Sequence, residues 1–303
     1  MRSLRELRAI WRRRPIGIPR RIWALILALD GIPWPWSEDI FVGCFLTYSF
    51  VRMRGFRKAL AWASAQPDAK RNRWRLARSL CSQQGRSVAR SALVGIRDPA
   101  VLRRHISVRG AEHLRAAGRG VILLGFHLGP RASHQMLRVA GHASTWVGEP
   151  GFSAFWSRAI REHDEPPGGD LVLLGRTGQP SGHEWMRLLY RARQILLDGG
   201  TVFINADGTG REAFSVPVPG GRMVIRKGWL ALRRGTGAPV LPVLSRMDGR
   251  TQVVTIHPAL PPLSADPVLD RESCRSALGD LLCDYVRRFP EHCYWLTFVV
   301  RPP

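Results

Sequence analysis

The stretch GRGVILLGFHLGPRAS, residues 118–133, decides the fold of this protein. Its apolar run from Val121 to Leu124 stands between two glycines, and a short run of this kind is typical of a buried strand. His127 follows, and a glycine-proline turn then precedes a predicted helix over residues 131–139. Open α/β sheets bind ligands where their strands end, so His127 is a candidate functional residue. The alternative interpretation is a histidine that only caps a core strand.

The rest of the chain alternates between strand-like and helix-like segments. The strand-like segments begin at residues 145, 170, 201, 238 and 251, and the helix-like segments cover residues 153–163, 183–198 and 222–234. This alternation predicts an α/β domain over residues 106–303 with a largely parallel sheet flanked by helices. A last helix is predicted to end near Phe289, because apolar residues recur at three- and four-residue steps from Leu278 and Pro290 follows.

The first 105 residues differ in charge from the rest of the chain. They contain 22 Lys and Arg against 6 Asp and Glu, whereas residues 106–303 contain 24 against 17. At the start, Leu4, Leu7 and Trp11 share one helical face, and arginines cover much of the remaining surface. Such a helix can lie on an anionic lipid surface. Residues 1–105 are therefore predicted to be a basic, helical, membrane-associated region.

Two further apolar segments, residues 22–29 and 40–51, lie in this region. Neither reaches the roughly 20 residues that a membrane-spanning helix needs. They predict peripheral or monotopic attachment, aided by Trp23, Trp34 and Trp36 at head-group depth. The alternative is a helical subdomain in which these apolar segments form the core.

Several other chemistries are not predicted by the sequence. It has no Gly-x-Ser-x-Gly elbow, no His-Glu-x-x-His helix and no P-loop, and its histidines and cysteines lack metal-ligand spacing. The segment GTGREA from Gly208 matches a dinucleotide-binding pattern, but two prolines in the following FSVPVPGG prevent the required helix. No metal and no cofactor are therefore expected. The basic charge lacks a recognisable nucleic-acid module, so nucleic acid is not expected as a partner.

Four segments together resemble the lysophospholipid acyltransferase superfamily, and within it the bacterial lipid A biosynthesis (lauroyl/myristoyl) acyltransferases. They are VRGAEHLRAAGRGVILLGFHLG, LLDGGTVFINADGTGR, GAPVLPV from Gly237, and RFPEHCYWL. The resemblance covers roughly residues 106–300, and the order and spacing of the segments agree together. It implies a glycerolipid acyltransferase-like α/β fold for this part of the chain.

The resemblance also implies a catalytic motif, His-x4-Asp/Glu, in which the histidine is the general base and the carboxylate orients it. His127 takes the position of the histidine, but Ala132 stands where the carboxylate belongs. A replacement acid is therefore expected. Asp207, just after the strand TVFIN, is the first candidate, and Glu149, after the strand TWVG, is the second. Asp207 could instead be a turn-forming carboxylate, a common role for aspartate before glycine.

Substrate-binding residues are predicted around the same motifs. The candidates are Gly208, Thr209 and Arg211 in ADGTGR, together with Arg131 and Arg176. The glycine would keep the backbone open to a head group or acyl chain, and the arginines could bind an anion through their forked donors. Each arginine could equally be a solvated surface charge.

The predicted function is that of a membrane-associated O-acyltransferase at the cytoplasmic face of an inner membrane. The resemblance implies a fatty acyl group that passes from an acyl carrier protein or acyl-CoA to a hydroxyl of a glycolipid or lipid A-like acceptor. The strong positive charge would suit an acidic carrier protein, an anionic lipid and a membrane surface as partners. Because Ala132 replaces the motif acid, the alternative function is a catalytically silent member that binds lipid.

Overall fold

The protein has an α/β architecture in which helices flank a mostly parallel sheet, as the sequence predicts. A computed structural model describes residues 32–52, 54–66, 69–94, 99–130, 133–148, 171–172, 182–208 and 213–299, together with Ala24, Ala28 and Leu29. The helix predicted over residues 153–163 lies outside these residues, as do residues 1–23 with their predicted basic helix.

Helices and strands alternate after a helical N-terminal part. The helices are α1 (Trp36–Arg52), α2 (Arg54–Ser64), α3 (Ala69–Val94), α4 (Pro99–Arg103), α5 (Ala111–Ala117), α6 (Ser133–Val139), α7 (Gly182–Leu197), α8 (Gly228–Thr236), α9 (Pro267–Arg288) and α10 (Leu296–Val299), with a 3-10 helix at Pro290–His292. The strands are β1 (Ile106–Arg109), β2 (Val121–Gly125), β3 (Thr145–Gly148), β4 (Leu171–Val172), β5 (Thr201–Asn205), β6 (Ala213–Val218), β7 (Gly221–Arg226), β8 (Val240–Asp248) and β9 (Thr251–Ile256).

The main sheet has the strand order β1-β9-β8-β2-β5-β3-β4 in the described part of the chain. Every neighbouring pair is parallel except β8 and β9, which are antiparallel and joined by a short turn. Strand β2 lies inside the sheet, between β8 and β5. Ligand sites in such sheets form at the carboxyl ends of central parallel strands, so the segment after β2 is well placed for function.

Strand β2 is buried on both faces because its residues alternate between two cores. Ile122 and Leu124 belong to a cluster shared with α2, α3, α8 and α9, whereas Val121 and Leu123 belong to a cluster on the other face with α4 and α6. This explains why the strand is continuously apolar in sequence. Helices α2 and α3 therefore share a core with the sheet, while a domain division at residue 105 stays a prediction.

The predicted helix over residues 222–234 is wrong in its first part. Residues Gly221–Arg226 form strand β7, which pairs antiparallel with β6, and the helix begins only at Gly228. Met223 and Ile225 are buried while their neighbours are more exposed, which is the two-residue alternation of a half-buried strand. In contrast, the predicted last helix is confirmed as α9, with Leu278, Leu282, Tyr285 and Val286 buried and Pro290 beyond its end.

A buried ion pair connects α1 to the rest of the molecule. Glu38, in the first turn of α1, receives hydrogen bonds from Arg90 of α3 at 2.8 and 3.1 Å. Arg90 also donates to the carbonyl of Arg250, in the turn between β8 and β9, at 2.6 Å. The ring of the half-buried Trp34 lies 5.2 Å from the Arg90 guanidinium carbon, so this aromatic side chain packs over the ion pair.

Among the described residues, no helix is both long enough and apolar enough to cross a bilayer. The apolar segment 40–51 lies within α1.

Candidate active site

His127 and Asp207 lie beyond the carboxyl ends of two adjacent parallel strands. Strands β2 and β5 pair with Gly125 opposite Asn205. His127 lies two residues after Gly125, and Asp207 lies two residues after Asn205. The amide of Ala206 donates to the carbonyl of Gly125 at 2.9 Å, which continues the pairing past the strand end. The common register therefore brings His127 and Asp207 together at one edge of the sheet.

The two residues form a close pair with three short contacts. Nδ1 of His127 lies 3.0 Å from Oδ1 of Asp207. The backbone N–H of His127 donates to both carboxylate oxygens, each at 3.0 Å. The Asp207 side chain is fully buried, whereas 29% of the His127 side chain is exposed. The predicted proximity of Asp207 to His127 is thus present, while their catalytic roles stay predictions.

The carboxylate determines which nitrogen of His127 carries the proton. An ionised carboxylate only accepts hydrogen bonds, so Nδ1 of His127 must donate to it. The neutral ring then has an unprotonated Nε2, to which no group in the described part of the chain donates a hydrogen bond. An imidazole in this tautomer, with a counter-charge behind it, can accept a proton at Nε2 from a hydroxyl.

An aromatic side chain packs beside the histidine ring. The ring centroid of Trp295, which lies between the 3-10 helix and α10, is 4.9 Å from that of His127, with an interplanar angle of 35°. This contact restricts the imidazole in addition to the bond with Asp207. Sequence reasoning missed this role, although Trp295 belongs to the segment RFPEHCYWL that contributes to the family resemblance.

The turn after His127 requires glycine at position 129. Gly129 has a φ of 76°, a left-handed conformation that favours glycine. A Cβ atom there would overlap the carbonyl oxygen of Ser245 on β8. The Gly129 amide donates to the carbonyl of His292 at 2.8 Å, which ties the turn to the 3-10 helix. The backbone that presents His127 is therefore held from two directions.

Ser245 of β8 and Tyr285 of α9 support this turn, and the sequence analysis selected neither residue for the site. The Ser245 hydroxyl donates to the carbonyl of Pro130 at 2.9 Å, and the Tyr285 hydroxyl donates to the carbonyl of Ser245 at 2.6 Å. Burial raises the pKa of Tyr285 well above its usual value, so the phenol remains a protonated donor.

Acid is expected to destabilise this support through His292. Burial, with a smaller effect of Arg246, lowers the pKa of His292 to about 4 from 6.5. The unfolded chain therefore takes up this proton first, and stability falls as the pH decreases from about 6.5 to about 4, by up to roughly 3 kcal/mol. Urea unfolding of wild type across this range should show the loss, and His292→Gln should show a shallower dependence.

Three half-buried histidines make a matched control necessary. The pKa values of His105, His142 and His257 are also lowered, mainly by burial, so wild type retains some acid sensitivity from them. His183→Gln changes an exposed histidine on α7 and should leave the pH dependence as in wild type. An identical pH dependence in His292→Gln and wild type would contradict the role of His292.

Gly208, a predicted substrate-binding residue, lies against an arginine that sequence reasoning did not select. A Cβ atom on Gly208 would come within 2.7 Å of Nε of Arg226 at the end of β7. Asp207 forms a β-bridge with Ile225, and the Gly208 amide donates to the carbonyl of Val224 at 3.3 Å. The end of β7 therefore places a guanidinium beside the segment that carries Asp207.

The remaining predicted site residues lie outside the described residues. They are Glu149, Arg131, Arg176, Thr209 and Arg211, together with Ala132 at the motif position. Their roles stay predictions. Within the described ranges, no group of three or more His, Cys, Asp or Glu side chains is arranged to hold a metal ion.

Comparison of the chain with models of known protein families and with curated proteins finds no match. The pair of His127 and Asp207 at the sheet edge is therefore the main basis for a functional interpretation.

Proposed function

We propose that this protein is an O-acyltransferase that moves a fatty acyl group from an acyl carrier protein or acyl-CoA to a hydroxyl of a glycolipid or lipid A-like acceptor. The observation that carries this proposal is the 3.0 Å contact between Nδ1 of His127 and Oδ1 of Asp207. It supplies, from a neighbouring strand, the carboxylate that Ala132 does not supply within the His-x4-Asp/Glu pattern. Because an acid is paired with the histidine, we favour the enzyme over a silent lipid-binding protein.

In this proposal, Nε2 of His127 removes the proton from the acceptor hydroxyl. The oxygen attacks the carbonyl carbon of the acyl thioester and forms the new C–O bond. The tetrahedral intermediate collapses, the C–S bond breaks, and the departing sulfur takes the proton from the imidazolium. The products are an ester and a free thiol. Asp207 stabilises the imidazolium between these two proton transfers and keeps Nδ1 protonated.

The charge of the protein favours acidic partners for this reaction. The formal net charge is +23, and Arg226 lies beside the segment of Asp207. Guanidinium groups bind phosphates and carboxylates through paired hydrogen bonds. An acidic carrier protein or the phosphates of an acyl donor and an anionic acceptor would be attracted to such a surface. Arg131, Arg176 and Arg211 are proposed to contribute to the same anion binding.

Membrane attachment at the cytoplasmic face of an inner membrane is part of the proposal. It is supported by the sequence of residues 1–21, in which apolar residues recur at helical spacing among arginines. Each basic residue near an anionic leaflet contributes about 1 kcal/mol to binding at physiological ionic strength.

The acyl-transfer proposal is tested with purified wild-type protein and labelled acyl donors. Acyl carrier protein and coenzyme A thioesters are each supplied with a mixture of glycolipids and phospholipids, and the products are identified by mass spectrometry. We expect transfer of the label to an acceptor hydroxyl with release of one thiol per ester formed. Lipid binding without transfer from either donor class would favour the silent lipid-binding alternative.

A further inference from the structure

Helix α1 exposes an apolar stripe along its whole length. The exposed residues Trp36, Ile40, Cys44, Tyr48 and Val51 follow one another at steps of four, four, four and three residues. The opposite side of the helix is buried, with Phe41, Val42 and Ser49 inside the protein. Residues 40–51 carry no charged side chain. Helix α1 therefore exposes apolar side chains in addition to those that it buries in the core. Exposed apolar patches of this kind are typical of interaction sites.

The stripe ends in an aromatic cluster that joins three helices. Phe50 of α1 lies 4.4 Å from Phe56 of α2 between ring centroids, and Phe56 lies 5.6 Å from Trp74 of α3. Phe56 is buried, whereas Trp74 is 58% exposed and Val51 is 78% exposed. The stripe of α1 and this cluster together are named the apolar face. Tryptophan and tyrosine side chains of this kind are enriched at the boundary between lipid and water.

Positive charge surrounds the aromatic end of the apolar face. Between Ile40 and Arg97 the sequence contains twelve Lys and Arg residues and a single acidic residue, Asp68. The exposed basic residues on α2 and α3 are Arg57, Lys58, Arg73, Arg75 and Arg78. Apolar side chains edged by cations are complementary to a bilayer surface that contains anionic head groups.

The aromatic cluster of the apolar face is connected to His127 through side chains of the C-terminal segment. Helix α10 packs against α2, and a Cβ atom on Gly55, at the start of α2, would be 3.0 Å from the Tyr294 hydroxyl. Tyr294 immediately precedes Trp295, whose ring packs against that of His127. The aromatic cluster is thus only a few side chains from the candidate base.

We infer that the apolar face docks on the surface of an anionic lipid bilayer, with α1 lying in the head-group region. This contact is separate from the attachment proposed for residues 1–21, and it orients the edge of the sheet that carries His127 toward the lipid. Docking itself does not require catalysis, whereas its use to deliver a lipid acceptor rests on the proposed acyltransferase function.

The inference is tested in the full chain with a fluorophore that reports its local polarity. Cys44 and Cys283, the cysteines that are not buried, are replaced by serine, and the label is attached through Val51→Cys. The control is Leu269→Cys, an apolar position that is 61% exposed on α9. Leu269 lies about 24 Å along α9 from Tyr285, which supports the turn of His127, so it marks a surface remote from the candidate base.

Vesicles of phosphatidylcholine with phosphatidylglycerol should raise and blue-shift the emission at Val51→Cys, but not at Leu269→Cys. Val51→Asp should lower partition into these vesicles by about tenfold, and Leu269→Asp should leave it unchanged. A label at position 51 that stays water-exposed on bound protein would overturn the inference, as would equal responses at both positions. A label already shielded without vesicles would instead indicate cover by this chain or a second copy. Because His127→Ala should retain the fluorescence response, failure of acyl transfer is distinguishable from failure of docking.

Discussion

Asp207→Asn is expected to lower the turnover number by about 10⁴-fold, a loss similar to that of His127→Ala, by analogy with the orienting carboxylate of hydrolase triads. The asparagine oxygen can still accept the backbone N–H of His127, but its amide NH₂ donates where the carboxylate accepted. Nδ1 of His127 would then face a donor, which favours protonation at Nε2 and removes the base. Since the two side chains have nearly the same shape, the fold should persist.

Turnover of labelled acyl donor is measured together with thermal unfolding, so that a loss of activity can be separated from a loss of structure. Asp198→Asn, which changes an exposed carboxylate after α7, is the matched control and should be fully active. Glu149→Gln should have a milder effect than Asp207→Asn. The reverse order would assign the orienting role to Glu149. If neither variant loses activity and Ala132→Glu gains it, His127 acts without a carboxylate.

Glu38→Ala is expected to lower the free energy of unfolding by about 3–5 kcal/mol, because it leaves a charge buried without its counter-ion. The side chains of Glu38 and Arg90 are 0% and 2% exposed, so water cannot replace the lost carboxylate at the guanidinium. Arg90 also holds the turn between β8 and β9 through the Arg250 carbonyl. Glu38→Ala should therefore destabilise the turn between β8 and β9 as well as α1.

The neighbouring carboxylate provides a matched control for this prediction. Asp39 is in the same first turn of α1, is 32% exposed, and contacts Arg86 at 3.2 Å and Arg250 at 2.8 Å, whose side chains are 20% and 50% exposed. Because water reaches Asp39 and both arginines, Asp39→Ala should lower the free energy of unfolding by only about 1 kcal/mol. Urea unfolding followed by circular dichroism measures both variants. Equal losses in the two variants would contradict the distinction between a buried and an exposed ion pair. A double variant Glu38→Leu with Arg90→Met that is more stable than Glu38→Leu alone would support it.

The pair of His127 and Asp207 shows how far strand patterns can predict a site. Two apolar runs followed by polar residues predicted that both side chains would lie at one edge of a parallel sheet. That Asp207 lies against His127 required the strand register, since the histidine and this carboxylate are 80 residues apart. Pairing of Gly125 with Asn205 is a property of the assembled sheet and cannot be derived from either segment alone.

The sequence by itself determined the elements whose burial follows a local period. The continuous apolar run of β2 predicted a buried strand, and the three- and four-residue steps from Leu278 predicted α9, because each pattern reflects how one element faces its core. It failed at residues 222–227, where a helix-like spacing was outweighed by the antiparallel pairing of β7 with β6. The spacing of apolar residues in a short segment can match both a helix and a strand, and pairing with a neighbouring strand then determines which of them forms.

Only the tertiary structure decided which distant groups meet. Ser245, Tyr285 and Trp295 surround the turn of His127 from β8, α9 and the C-terminal segment, and no local pattern connects these positions. The buried pair of Glu38 and Arg90 likewise joins residues 52 positions apart. Local periodicity records whether a side chain is buried, but its partner depends on how complete elements pack. The sequence therefore determined the layers and the candidate base, and packing determined the groups that hold this base.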